Sequence, residues 1–183
     1  TMSTYSPFSA KQLLPQEEKL EITKHKSELF IGIPKEISYQ ERRICLTPDA
    51  VSSLVSHGHR VMVECGAGKN ASFSDKDYSD AGAEVTHDTK KIFSCPIILK
   101  VEPPTLEEIE MMNMEAILIS AIQLKTQKKE YFEAITKKKI TSLAFEFIKD
   151  SDGSYPAVKS LSEIAGTASV LIAAELMINN NDG

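Results

Sequence analysis

The stretch Ile31-Gly32-Ile33-Pro34-Lys35-Glu36, followed by Glu41-Arg42-Arg43-Ile44-Cys45-Leu46-Thr47-Pro48, decides how the chain folds. Leu29 to Ile33 is a short apolar, β-branched run with the length of a buried strand, and Pro34 stops its hydrogen-bond ladder. Thr47-Pro48 then signals a helix start: the threonine oxygen caps free N–H groups, and proline stands at the first helical position, where its missing N–H costs nothing. Arg43 therefore sits on the loop between a first strand and a first helix. In open α/β sheets that is where ligands bind.

Working outward, strand-like runs recur at 60–64, 96–100, 115–120 and 140–145, with a weaker one at 84–86. Helical patterns lie between them. Their starts are marked at Thr47-Pro48, at Ser74 before Asp75, and at Thr105 with Glu108 at capping-box spacing. Strands alternating with helices predict β-α-β crossovers and a mainly parallel, Rossmann-like sheet covered on both faces, an α/β three-layer sandwich. Residues 1–28 read as a polar N-terminal extension, 29–160 as the domain, 161–178 as a final helix and 179–183 as the end of a cut chain, with Thr1-Met2 as an expression scar. Ser160 and Glu163 offer the final helix a capping box, and Ala165, Gly166, Ala168, Ser169, Ala173 and Ala174 thin its surface. It reads either as a linker to a further domain or as a plain core helix.

The formal charge of -5 argues against nucleic acid: lysines cluster at 125, 128, 129 and 137–139, but acids are interspersed and stacking aromatics are sparse, so a solvated helix face is expected. No apolar run reaches the roughly 18 residues of a membrane span, and no signal-peptide core opens the chain. Cys45, Cys65 and Cys95 lack metal or redox spacing and read as reduced thiols of a cytoplasmic protein. No metal constellation is visible. Gly66-Ala67-Gly68-Lys69-Asn70-Ala71 fits G-x-G-x-x-[GA] after a strand, but the next helix start lies as late as Ser74, so the segment reads as a glycine-permitted turn rather than a phosphate cradle.

The opening resembles the N-terminal domain of the alanine dehydrogenase and pyridine nucleotide transhydrogenase family, which begins G-I-P-x-E and continues E-x-R-V-A-x-T-P. The likeness runs in family order through Gly58-His59-Arg60-Val61-Met62-Val63-Glu64, Gly66-Ala67-Gly68, Phe73-Ser74-Asp75, Ala81-Gly82-Ala83, Lys100-Val101 with Pro104, and Leu161-Ser162-Glu163-Ile164-Ala165-Gly166. It covers roughly residues 29 to 178. The resemblance is closest to the alanine dehydrogenase branch. It implies the substrate-side domain of an NAD-dependent oxidoreductase performing reversible oxidative deamination on a small amino or keto acid, with NAD bound mainly by a domain absent here. The fragment alone would then be inactive, and the full-length protein a homo-oligomer. Two alternatives stay open: a transhydrogenase-like domain passing hydride between nucleotides, and a non-catalytic ligand-binding or assembly module.

The same resemblance assigns residues. Arg43 corresponds to an arginine that contacts the substrate carboxylate, which a guanidinium fork can hold with two bonds. The competing reading is a surface ion pair with Glu41 or Glu36. The family's K-V-K-E-P becomes Lys100-Val101-Glu102-Pro103-Pro104, so Glu102 takes the place of the substrate-engaging lysine with reversed charge. A glutamate there repels a carboxylate unless protonated or paired with Arg43 or Lys100. The catalytic histidine becomes Gln123, an amide with no proton to exchange near neutral pH. His25, His57, His59 and His87 read as solvent-facing or cap residues, with His87 beginning a helix. Glu146 matches a family glutamate at a strand end, either orienting the site or making a structural pair. Ser162 matches a serine that reaches the cofactor phosphates, although an ordinary helix cap uses the same residue type.

Overall fold

In the computed structural model, residues 28–38 and 41–160 are described, together with Ser162 and Ser169. Six strands alternate with helices: β1 Phe30–Ile33, α1 Pro48–Ser56, β2 Arg60–Glu64, α2 Asp75–Asp80, β3 Glu84–Thr86, α3 Thr89–Phe93, β4 Ile97–Leu99, α4 Leu106–Met111, β5 Ile117–Ser120, α5 Lys129–Lys137 and β6 Thr141–Ala144. The strands form one sheet in the order β3-β2-β1-β4-β5-β6, with every neighbouring pair parallel. The expected α/β sandwich is therefore the fold. The chain leaves β1 toward β2 on one side and later returns to place β4 on the other. The two strands thus diverge at a topological switch point, and a crevice opens beyond their carboxyl ends.

Alternation along the strands builds the two faces. Ile31, Ile33, Val61 and Val63 pack with Val51 of α1 and Tyr78 of α2, whereas Met62, Ile98 and Leu118 pack with Ile92 and Phe93 of α3, Ile109 of α4 and Tyr131 of α5. Between the faces, β1 must run close to α3: a Cβ on Gly32 would stand 2.6 Å from the Ile92 carbonyl oxygen and 3.1 Å from Cys95. Only glycine permits that approach.

The helix starts follow their caps. Thr47 Oγ1 accepts the Ala50 N–H, with Pro48 opening α1, and Ser74 with Asp77 and Thr105 with Glu108 each complete a capping box. Three expectations are corrected. Residues 156–160 are already helical, with Lys159 N–H donating to the Tyr155 carbonyl at 2.8 Å, so the last helix begins on Pro156 and Ser160 does not cap it. His87 does not begin α3, because Asp88 is its N-cap. Lys138 leaves the solvated lysine group: its ammonium donates to the Glu110 carbonyl and, at 2.7 Å, to that of Met112, closing the carboxyl end of α4. Most of the extension over 1–28, the rest of the final helix and the end over 179–183 lie outside the described residues. Among the described residues no helix is long and apolar enough to cross a membrane.

Candidate functional site

The loop after β1 and the loop after β4 form the walls of the crevice. Pro34 ends β1, and Glu36 turns back so that its Oε1 accepts the Val101 N–H at 2.6 Å. Further on, the Tyr78 hydroxyl donates to the Leu46 carbonyl at 2.8 Å and anchors the loop before α1. On the other wall, Lys100 N–H donates to the Ile119 carbonyl and Ala121 N–H to that of Val101, extending strand-like pairing past the end of β4. That pairing brings Glu102 beside Gln123.

Below the crevice lies a buried charge cluster. The Lys100 side chain is 1% exposed, and its Nζ is 2.9 Å from Glu108 Oε1 and 3.5 Å from Glu36 Oε2. Burial pushes the Glu36 carboxyl up, against the attraction of Lys100. Glu108 serves twice, pairing with Lys100 and capping α4 through its backbone bond with Thr105. Lys100 therefore ties together the first loop, β4 and α4, and its charge is not free for a ligand.

Arg43 stands above this cluster, its side chain 48% exposed. Its Nε and Nη2 donate to Glu41 at 2.8 and 2.5 Å, and its backbone N–H also donates to Glu41 Oε1 at 2.8 Å. The side edge of the fork is thus engaged within the protein, the ion pair weighed from sequence, with Glu41 and not Glu36 as partner. The end edge, Nη1 with the outer N–H of Nη2, points past Glu41, and Glu102 Oε1 lies 3.8 Å from Nη2. Hydrogen bonds from Arg43 hold the Glu41 carboxyl down at about 2, so it stays ionised through the physiological range.

Glu102 and Gln123 touch each other: Gln123 Nε2 donates to Glu102 Oε2 at 3.1 Å. Gln123 is held in the left-handed region, φ +51. Glu146 stabilises that turn, its Oε1 accepting the N–H groups of Ile122 at 2.7 Å and Gln123 at 2.9 Å. Thr126 closes it from the far side by donating to the Gln123 carbonyl at 3.0 Å. A pocket of about 320 Å³ lies at the crevice, lined by Arg43, Cys45, Leu46, Lys100, Ile119 and Phe145. The Cys45 thiol facing it is pushed up to about 12 by burial and is no nucleophile. Gln123 borders a neighbouring recess of about 550 Å³ with Leu124, Glu146 and Phe147.

Glu41, Glu36 and Glu108 are the site residues that the sequence did not single out for this role, although the first two were in view as partners for Arg43. The capping-box spacing exposed Glu108, but nothing local announced its bond to Lys100. Ser162 is helical and exposed, and among the described residues no hydrogen bond joins it to the crevice. His57 and His59 lie before β2, at the opposite end of the sheet, where His57 Nδ1 is 2.6 Å from the Ser53 carbonyl and His59 Nδ1 accepts the Leu29 N–H at 3.3 Å. Among the described residues no three His, Cys, Asp or Glu side chains gather to hold a metal.

The described residues do not fit the phosphates of NAD. The loop from Pro34 to Thr47 contains no glycine, and α1 carries Asp49 in its first turn. In the Gly66 turn the Asp75 carboxylate already accepts the Gly66 N–H at 2.7 Å, where a phosphate would have to bind.

Known proteins resemble this chain in sequence and fold. The family model described as "Alanine dehydrogenase/PNT, N-terminal domain" matches residues 32–165. The alanine dehydrogenase of Staphylococcus epidermidis is 37% identical over 153 residues, 84% of this chain and 41% of that protein. The alanine dehydrogenase of Bacillus subtilis (strain 168) is 35% identical over 149 residues, 81% of this chain and 39% of that protein. The chain thus spans about 41% of the length of such relatives. Among solved structures, an L-alanine dehydrogenase superimposes with a TM-score of 0.75 at 35% identity, covering 79% of this chain and 40% of that one. A transhydrogenase from Sinorhizobium meliloti gives 0.59 at 31% identity, covering 64% and 35%. This chain belongs to the alanine dehydrogenase/PNT family, as its N-terminal domain.

Proposed function

We propose that the chain is the substrate-side domain of an NAD-dependent amino-acid dehydrogenase, working in reversible oxidative deamination. The observation that carries this reading is the guanidinium of Arg43, its end edge open, at the switch-point crevice between β1 and β4. In this reading Arg43 holds the substrate carboxylate, Glu146 fixes the turn that presents Gln123, and the Gln123 amide orients Glu102. Nicotinamide cofactor, when bound, supplies the hydride acceptor and is held mainly by a further domain, so this chain by itself forms one wall of the cleft and transfers no hydride. Greater likeness to L-alanine dehydrogenase than to the transhydrogenase, in identity and in superposition, favours the dehydrogenase over nucleotide-to-nucleotide transfer.

The test is steady-state NADH formation across an amino-acid panel, by the protein in which this chain is continued by its dinucleotide-binding domain. Losing a charge-assisted contact of about 2 to 4 kcal/mol should raise the KM for the amino acid roughly 30-fold to several-hundred-fold in Arg43→Ala. The KM for NAD should move little. Equal loss for both would assign Arg43 to structure alone.

A further inference from the structure

Glu102 is a carboxylate of the crevice that Arg43 leaves without a close hydrogen bond, and its surroundings show what it is set to hold. Its Oε2 accepts from the Gln123 amide at 3.1 Å, and the Gln123 backbone is pinned by Glu146, so the carboxylate is oriented rather than loose. Its Oε1 faces Arg43 Nη2 at 3.8 Å. That separation is well beyond the about 2.7–2.9 Å of a charge-assisted hydrogen bond. Arg43 is meanwhile held back by Glu41 at 2.5 Å. The Glu41 carboxyl also lies within hydrogen-bond reach of Glu102, so a cation already paired with Glu41 stands beside a second, fixed carboxylate that has not closed on it.

We propose that Glu102 and Arg43 together read the zwitterionic head group of an α-amino acid, the α-ammonium on Glu102 Oε1 and the α-carboxylate on the end edge of Arg43. An α-amino acid carries both charges on one carbon, matching the adjacency of the two protein groups. A keto acid offers only the carboxylate and meets Glu102 as a like charge, so the site discriminates in favour of the amino acid. Gln123 acts here as a positioning residue: its amide fixes which Glu102 oxygen is turned toward Arg43. This inference rests on the dehydrogenase reading, because it names the ligand of that same crevice.

The experiment is a chemical-shift titration of the 183-residue chain with three ligands differing by one group each: L-alanine, propionate, which lacks the ammonium, and ethylamine, which lacks the carboxylate. With both ion pairs formed, L-alanine should bind about tenfold or more tighter than either analogue, moving the amides of Arg43, Glu102 and Gln123. Glu102→Gln should bring L-alanine to within about threefold of propionate, and Glu102→Lys should reverse the order of L-alanine and ethylamine against propionate. The dispersion of the spectra shows that each variant is folded. Propionate binding as tightly as L-alanine to the native chain, or an L-alanine preference that survives Glu102→Gln, overturns the assignment while leaving Arg43 as a carboxylate site. If none of the three ligands shifts these amides, this inference is overturned, while the substrate-side reading stands or falls on the KM test of Arg43→Ala.

Discussion

Glu41 is the residue on which the geometry of Arg43 depends, and acid titration exposes the dependence. Its carboxyl is held at about 2 in the fold against an ordinary 4.5, chiefly by hydrogen bonds from Arg43. A carboxyl depressed by folding contributes stability that is fully present above its unfolded value and is lost as pH falls through the folded one, here between about 4.5 and 2. Because Arg43 is half exposed, water screens the pair, and a contribution of about 1 to 2 kcal/mol is expected. Glu41→Gln should therefore be less stable than the native chain at pH 7 by about that amount and should show a flatter decline between pH 4.5 and 2 in urea denaturation. Parallel pH profiles for the two proteins would show that Arg43 is not held by Glu41. The location of Arg43 was legible in the sequence, since a strand, a proline stop and a Thr-Pro helix start bracket its loop. The partner was not, because Glu36 and Glu41 are equally near in sequence, and only the turn of the backbone sends Glu36 to Val101 and Lys100 instead.

The β1 strand and helix α3 show how far element-level reading goes. The apolar run made the strand legible to within a residue, and β-branching with Gly32 suited a buried position. That Gly32 is required by the approach of α3 could not be read, since Ile92 of that helix and Cys95 just after it lie far along the chain. Gly32→Ala places a methyl carbon 2.6 Å from a backbone carbonyl oxygen that cannot rotate away. Overpacking of this kind costs about 1 to 3 kcal/mol or more, and the variant should lose that much in thermal or denaturant unfolding while keeping its sheet. Unchanged stability would mean that α3 is free to slide from β1. Helix starts were legible at the capping residues Thr47, Ser74 and Thr105, while at α3 the cap Asp88 was missed by one residue in favour of His87. Helix α5 had no such marker, because Lys128 at its N-cap makes no side-chain cap bond, and amphipathic spacing alone carries it. The final helix was placed too late because Ser160 imitates an N-cap in a stretch that is already helical from Pro156.

At the scale of the whole molecule, alternating strands and helices announced a parallel sheet, but not the strand order, which depends on pairings between segments distant in sequence. The order β3-β2-β1-β4-β5-β6 is the one that dinucleotide-binding domains use, with its switch point between β1 and β4. Sheet order alone would thus predict NAD in this crevice, and the local chemistry predicts the reverse. A dinucleotide site needs glycines after β1 so that backbone N–H groups at the start of the next helix can reach the pyrophosphate. Here the loop is glycine-free, Pro48 removes one N–H, Asp49 adds a negative charge to the first turn, and Glu41 and Glu102 flank Arg43 with Glu36 buried beneath. Arg43 and Lys100, the cations that oppose them here, are both already paired with carboxylates. Like-charge repulsion together with absent donors should leave the isolated 183-residue chain without saturable binding of NAD up to about 1 mM in titration calorimetry. A micromolar dissociation constant would mean that backbone groups elsewhere in this domain receive the phosphates, and would overturn the proposed division of labour in which this half of the cleft reads the substrate and another domain holds the cofactor.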